Sequence, residues 1–320
     1  MPAVRRMRCG AGRGGGPAGA GEAARPGSVR AARPESDKEA ARMRMLLWVF
    51  AVQLGSVTLD PRSLREFEAY MARADGEMLA RLQQGGPSRL GAPAEPAVAP
   101  WTAVNPAPVT NALIHDWLGA VFVPGARVED ALAVLRDVPR YPEIYSGDIL
   151  QARILSASGP RREVLFRVVK KKIITVVLET EYEVEDRIFS PQRAQMWSRS
   201  TRVAEVEDAG KPTERVKPPD TGWGFLWRLH SYWHLEELDG GLLMECRAVS
   251  LTRDVPAALA WIIKPMVTSL PREALAGTLV KTRAAVARQA AMRRPDGRLH
   301  PEAPPHEAPA APSRAAPRLP

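Results

Sequence analysis

Cysteine is nearly absent: Cys9 and Cys246 are the only two in 320 residues. That excludes a disulfide framework, and with no Cys-x-x-Cys pair it also removes the usual zinc and dithiol redox spacings. No apolar run exceeds about a dozen residues, short of the roughly 20 that a helix needs to cross a bilayer. The Gly-x-Ser-x-Gly elbow and the Walker phosphate loop are missing, and no Gly-rich dinucleotide fingerprint stands between a strand pattern and a helix. Hydrolase-type acyl transfer, P-loop chemistry and Rossmann cofactor binding therefore find no support, and no cofactor or metal is expected. No repeat at solenoid or propeller periods is present. Cys246 lies in an apolar strand pattern and reads as a small core residue.

Acidic residues are the scarcer charge, leaving a formal net charge of +9. The excess is not on a patterned segment. Residues 1–42 carry a net +5 in an Arg-, Gly-, Ala- and Pro-rich leader, and residues 294–320 carry +1 in a Pro/Ala-rich tail. Only +3 remains for the middle. A nucleic-acid binder concentrates its cations on a folded face or a dedicated arm, so no nucleic-acid partner is expected. Neither end has the large apolar side chains needed to offset ordering entropy, and both are expected to be disordered.

Met43-Arg44-Met45 precedes the apolar run Leu46–Val57, with small residues at its end. The run has the length of a signal-peptide core. If translation starts at Met43 or Met45 the chain is expected to be exported, and otherwise to stay in the cytoplasm; the alternative for 43–58 is an apolar helix packed on the protein.

Asp60-Pro61 has the form of a helix N-cap followed by proline at the first helical position. Leu64, Phe67, Met71, Ala74, Met78 and Leu82 then recur at spacings of three and four, giving an amphipathic helix over 60–84 that Gly85-Gly86 ends. Its polar face is of mixed charge, which points to packing on protein rather than on a membrane surface. Residues 85–108, rich in Pro, Gly and Ala, are expected to be a linker.

From about residue 109 the period changes. Asn111–Val123 alternates as a strand through Leu113, His115, Trp117 and Val121, Val128–Leu135 is a short helix, and Pro139 and Pro142 redirect the chain. Strand patterns follow at Ile149–Ser156, Val164–Val169, Ile173–Val184, Ala194–Val206, Trp223–Leu238 and Leu242–Leu251. Their separators are turn chemistry, Asp239-Gly240-Gly241 being the clearest hairpin. Lys170-Lys171-Lys172 marks a bend. In Ile173–Val184 the residues Ile174, Val176, Leu178, Tyr182 and Val184 share one face and Glu179, Glu181 and Glu183 the other, so one face of the sheet is expected wet and one dry. The chain closes in helix: an apolar segment over Pro256–Thr268 bent at Pro265, then a helix from Pro271 with Leu275, Leu279, Thr282, Val286 and Ala290 on one side.

Two stretches carry a family resemblance: Val128-Glu-Asp-Ala-Leu-Ala-Val-Leu-Arg-Asp-Val-Pro-Arg-Tyr-Pro-Glu143, and Leu251-Thr-Arg-Asp-Val-Pro256 followed by Pro271-Arg-Glu-Ala-Leu275. With the element order, they resemble the START-like superfamily, which also holds polyketide cyclases and coenzyme Q-binding proteins. The likeness covers about 101–292. It implies an α+β helix-grip fold over 109–293, with about seven antiparallel strands curved around the long C-terminal helix and a hydrophobic tunnel between them. The implied partner is an apolar small molecule or lipid, with transient membrane contact as a route of exchange. The implied function is noncatalytic binding or transport; a cyclase or aromatase using the same cavity, and a structural module with a collapsed cavity, are the alternatives.

Candidate cavity residues follow from this frame. On a strand, Trp227, Leu229, Ser231, Trp233 and Leu235 face inward, and Arg228, His230, Tyr232, His234 and Glu236 outward. Ile174, Val176, Leu178, Tyr182 and Met244 come from other strands, Tyr145 from the Tyr-Pro element, and Leu275 and Leu279 from the long helix. His230 and His234 would be close on a helix. On a strand they are about 13 Å apart, too far to share a zinc bonded at about 2 Å. Glu245 and Arg247 alternate with Met244, Cys246 and Ala248 and are expected outward. Arg199, Arg202 and Arg253 could meet a ligand head group, or form salt bridges across neighbouring strands.

Overall fold

The computed structural model describes residues 56–84, 88–171, 175–254 and 260–293, the side chains of 82–84 and 260–268 excepted. The leader, most of the apolar segment 43–58 and the tail lie outside these residues, as do Ile173 and Ile174. The described residues belong to one compact unit, Leu54–Pro320.

In chain order the elements are β1 (Val57–Thr58), α1 (Pro61–Gln84), β2 (Ala97–Pro100), β3 (Ala107–Val109), β4 (Ala112–Pro124), α2 (Val128–Arg136), a 3-10 turn at Val138–Arg140, α3 (Tyr141–Ile144), β5 (Ile149–Ser158), β6 (Arg161–Lys171), β7 (Thr175–Ser190), β8 (Arg193–Glu207), β9 (Arg215–Val216), β10 (Thr221–Gly222), β11 (Arg228–Leu238), β12 (Gly241–Arg253) and α4 (Ala260–Met292). The main sheet is antiparallel and runs β2-β4-β12-β11-β8-β7-β6-β5, with β3 also on β4 and β9 on β8. It is an open sheet holding a C-terminal helix, the α+β helix-grip architecture. The seven long strands fall where the alternation places them, and Leu238 pairs with Gly241 across the Asp239-Gly240 hairpin. Gly240 there sits at φ +85°, a left-handed conformation that costs glycine little.

Three expectations change. The stretch 85–108 is no free linker: β2 pairs with Ala120–Trp117 and β3 with Ile114–Ala112, so it forms the edge next to β4. Its prolines are tolerated because an edge strand need not donate on its outer side. Pro265 and Pro271 do not divide the last helix, since Ala260–Met292 is one helical element. The wet face is also shorter than expected: on β7 Glu179, Glu181 and Glu183 keep exposure opposite buried Leu178, Tyr182 and Val184, but over β4, β12, β11 and β8 α1 covers that side.

That side is covered by Phe67, Met71, Ala74 and Met78 of α1, packed with Leu59, Ile114, Trp197, Trp227, Tyr232, Val249 and Leu251. Burying side chains of this size contributes about 1.5–3 kcal/mol each. The helix begins as its N-cap dictates: Asp60 accepts from the Arg62 amide at 2.8 Å, which holds its carboxyl below the usual range.

Beneath the helix runs a polar network. Arg247, 1% exposed, donates from Nε and Nη2 to the equally buried Asp116 at 3.0 and 2.7 Å, and from Nη1 to Glu77 of α1 at 2.8 Å. The Trp101 ring stacks on its guanidinium at 4.1 Å, and Tyr70 of α1 donates to Asp116 at 2.7 Å. Asp75 accepts from Tyr232 and, at 2.7 Å, from Arg199; Arg81 pairs with Glu245. Glu245 and Arg247 thus face outward as expected, yet α1 keeps them from water.

Breaking a buried pair leaves an uncompensated charge, which typically costs about 3–5 kcal/mol, whereas replacing both members with apolar residues costs far less. Asp116→Ala is expected to destabilise by about 3 kcal/mol or more in urea denaturation, and Asp116→Leu with Arg247→Met by clearly less than Asp116→Ala.

Candidate functional site

The concave side is built by strand alternation together with α2, α3 and α4. Val121, Val123, Met196, Trp233, Leu235, Met244 and Cys246 point inward and meet Leu132 and Leu135 of α2, Tyr145, and Leu275, Leu279 and Val286 of α4. The start of α2 is fixed by two carboxylates: Asp130 accepts from the Arg127 amide and Glu237 from the Val128 amide, at 2.8 and 2.9 Å. Arg293 at the end of α4 then pairs with Asp130 at 2.7 Å.

Polar ties hold α4 from both flanks. Lys281 bonds Asp148 and the Ser146 carbonyl on one side, and Arg283 bonds Glu95 at 3.0 Å on the other. Between them Thr282 shares a 3.0 Å hydrogen bond with Tyr145. Gly119 lets the helix come close, because a Cβ there would clash with Leu279 and stand 3.2 Å from Leu275. The helix runs along β4 in the same direction, from Gly119 beneath Leu275 and Leu279 to Gly125, whose carbonyl accepts from Arg293. The earlier turns of α4 therefore head toward Trp117 and His115.

One comparison across the sheet locates free space. Leu118, Arg247, Tyr232 and Trp197 form a row in register on the convex side, each 4% exposed or less under α1. The next row, on the concave side, is Trp117, Ala248, Ser231 and Ser198, and all four are only half-buried although they sit in mid-sheet. Leu229 beside them is half-buried too. Toward α2 the floor is closed: Trp233, Met244 and Leu235 are buried, and Tyr141, Tyr145, Phe166 and Tyr182 stack as an aromatic wall with ring centroids 4.9–5.5 Å apart. Burial pushes the Tyr145 and Tyr182 hydroxyls up to about 12.

The expected cavity residues therefore separate. Leu229 and Trp233 share the concave floor; Tyr182, Tyr145, Met244, Leu275 and Leu279 are packed into its closed part. Val176 and Leu178 lie on β7, half-buried and buried respectively, and Ile174 is outside the described residues. Trp227 is a correction: it precedes β11 rather than continuing it, and packs with Phe67 in the cluster beneath α1, on the other side of the sheet. Its amide bonds the Leu251 carbonyl, so the strand alternation counted back from Leu229 does not reach it.

The arginines do not face the concave side. Arg199 pairs with Asp75 and Arg202 with Glu179 and Glu181 at 3.0 and 3.2 Å, while Arg253 ends β12 against Gly224. Arg253 also lines a groove of about 610 Å³ with Val57, Asp60, Asn111 and Trp227. His230 and His234 lie four residues apart on the convex face. His230 meets Phe67 edge-on at 5.2 Å, and His234 is 3.4 Å from Glu236. Among the described residues no group of three or more His, Cys, Asp or Glu could hold a metal ion, and no helix is long and apolar enough to cross a membrane.

His115 lies where the alternation with Leu113, Trp117 and Val121 places it, although alternation alone assigns it no role. It is fully buried on the concave face of β4 and its Nε2 is 3.0 Å from Thr252 Oγ1; among the described residues its Nδ1 has no partner, and the buried Trp117 Nε1 has none either.

These elements define the fold, a helix-grip domain with a second layer on its convex face. No protein-family model matches the chain, and no curated protein sequence matches it. Among solved structures it is similar to a STAR-related lipid transfer protein fragment from Xanthomonas axonopodis, with 16% identity, TM-score 0.36, and coverage of 60% of this chain and 98% of that one. It is similar too to the Zhui aromatase/cyclase from Streptomyces sp. R1128 (15%, 0.39, 57% and 98%) and to human STARD10 (8%, 0.36, 56% and 71%).

Three histidines give the fold a pH dependence. Burial holds His115 down to about 4 and His230 to about 3, and lowers His234 as well. Their folded values lie below the unfolded value of about 6.5, so the unfolded chain takes up protons that the fold refuses. Stability is full above pH 6.5 and is lost as pH falls, by up to about 1.4 kcal/mol per pH unit for each group. Urea denaturation between pH 7 and 5 is expected to show that decline, and His115→Gln to make it shallower by about one proton.

Proposed function

We propose that this chain binds an apolar small molecule or lipid, without transforming it, in the space between the concave face and α4. The observation that supports this is the contrast between adjacent rows: the convex row is sealed, while Trp117, Ala248, Ser231 and Ser198 keep exposure on the inner side. Close packing leaves few voids inside a protein, so accessible surface in mid-sheet under a gripped helix is room for a guest. The closed aromatic end sets how far a guest can reach. Leu229 and Trp117, both half-buried, supply the accessible apolar contact on the floor, and Trp233 closes it.

A second reading is a cyclase or aromatase working in the same space, and His115 is in its favour. Burial keeps it a neutral imidazole, and its Nδ1 has no partner among the described residues. A neutral imidazole can accept a proton from a bound substrate. Its distance from a reacting atom would have to be within hydrogen-bond reach, which a bound substrate analogue would test.

The full chain is expected to carry a lipid-like molecule through purification, seen by native mass spectrometry and recovered by solvent extraction. Stripped protein is expected to take up N-phenyl-1-naphthylamine with a fluorescence increase. Apoprotein alone in repeated spectra, with no dye uptake, overturns the binding reading.

A further inference from the structure

The floor of the concave face is not uniformly apolar. Ser231 on β11 and Ser198 on β8 are register partners, both half-buried and on the inner side. Directly opposed residues on antiparallel strands have Cβ atoms about 4.5–5.5 Å apart, so two serine hydroxyls there can address one atom between them. Neither hydroxyl has a hydrogen bond to another described residue, whereas the next inward serine, Ser200, is occupied by the Leu229 amide at 2.9 Å. A hydroxyl in this position can donate to a guest oxygen and accept from one.

The surroundings select against charge. The inward neighbours of the pair are Ala248 and Val184 across the sheet and Leu229, Trp233 and Met196 along the strands, all uncharged. Arg162 faces inward in the same row, beyond Val184, and is matched by Asp186 beside Met196 at 2.8 and 3.0 Å; Arg136 joins Asp186 at 2.7 Å, leaving only the Arg162 Nε without a partner among the described residues. A carboxylate guest at the serines would meet no cation beyond Arg162, whose charge Asp186 already balances, and burying an unpaired charge there would be costly. A pure hydrocarbon would strip water from two hydroxyls without replacing it.

We infer that the Ser198–Ser231 pair is the polar recognition point of the cavity, and that its ligand carries an uncharged oxygen, a carbonyl or hydroxyl, partway along an apolar body. This rests on the binding reading above and narrows it to neutral, oxygen-bearing lipids rather than hydrocarbons or fatty-acid anions.

The test uses the stripped full chain and three probes of similar length: 6-undecanone, undecane and laurate, each displacing N-phenyl-1-naphthylamine. Replacing both serines by alanine (Ser198→Ala, Ser231→Ala) is expected to weaken 6-undecanone about tenfold, the worth of one good hydrogen bond, and to leave undecane no weaker, or tighter, because no hydroxyl then loses water to it. In wild type the carbonyl stretch of bound 13C-labelled ketone is expected to lie below its value in hexane, and in the variant to return to it. A hexane-like carbonyl stretch in wild type, equal effects of the variant on ketone and alkane, or binding of laurate with no binding of ketone overturns the serine inference and leaves the cavity standing. The infrared readout needs no variant, so it decides even if the double substitution does not fold. Displacement by none of the three, with no dye uptake, overturns the binding reading itself.

Discussion

The ion pair of Arg247 with Asp116 is the constraint around which the rest of the chain is arranged. Two ions in a nearly dry position demand full solvation by protein groups, and the sheet alone cannot provide it. The missing partners come from earlier in the chain: Glu77 and Tyr70 from α1, and Trp101 from the stretch after it. Asn105 then clasps the Asp116 backbone through its side-chain amide, donating to the carbonyl at 2.8 Å and accepting from the N–H at 3.0 Å. Charge satisfaction therefore specifies where α1 lies, and apolar burial of Phe67, Met71 and Met78 supplies the adhesion.

With the convex side sealed, the two faces of the central strands have different tasks. Residues such as Asp116, Arg247 and Tyr232 build a packed outer layer, and their inward neighbours Trp117, Cys246 and Trp233 belong to the concave side. The backing helix stiffens the strands from behind, which allows the inner face to be incompletely packed without collapse. Stiffness on one side and room on the other are complementary consequences of the same alternation.

Much of this was legible in the sequence. Period-two runs located the long strands, and the spacing from Leu64 to Leu82 located α1. The inward positions of Leu229 and Trp233 followed from alternation alone. What alternation could not show was where a strand stops: Trp227 lies one residue before β11 and belongs to the opposite cluster. Composition misled for 85–108, where prolines signal a linker but are equally suited to an edge strand. The destination of α1 was hidden because its polar face carries mixed charges, and the partners of those charges lie on strands more than a hundred residues later. The inner-face positions of His115 and Ser231 were legible, but not the contact of His115 with Thr252 or the pairing of Ser231 with Ser198. Single polar residues in apolar runs gain meaning only when register sets them beside one another.

The attachment of α1 also bears on where this domain begins. The change of period near residue 109 looks like a natural boundary, and a fragment cut there would retain every long strand and the gripped helix. It would also lay open Ile114, Trp197, Tyr232 and Val249 as one contiguous apolar patch, with the Arg247–Asp116 pair set into it. Such a surface on a free molecule is adhesive, and the short cover strands at 97–109 would no longer shield the edge of β4. Among the described residues the folded unit thus reaches back at least to Val57, which pairs with Gly222.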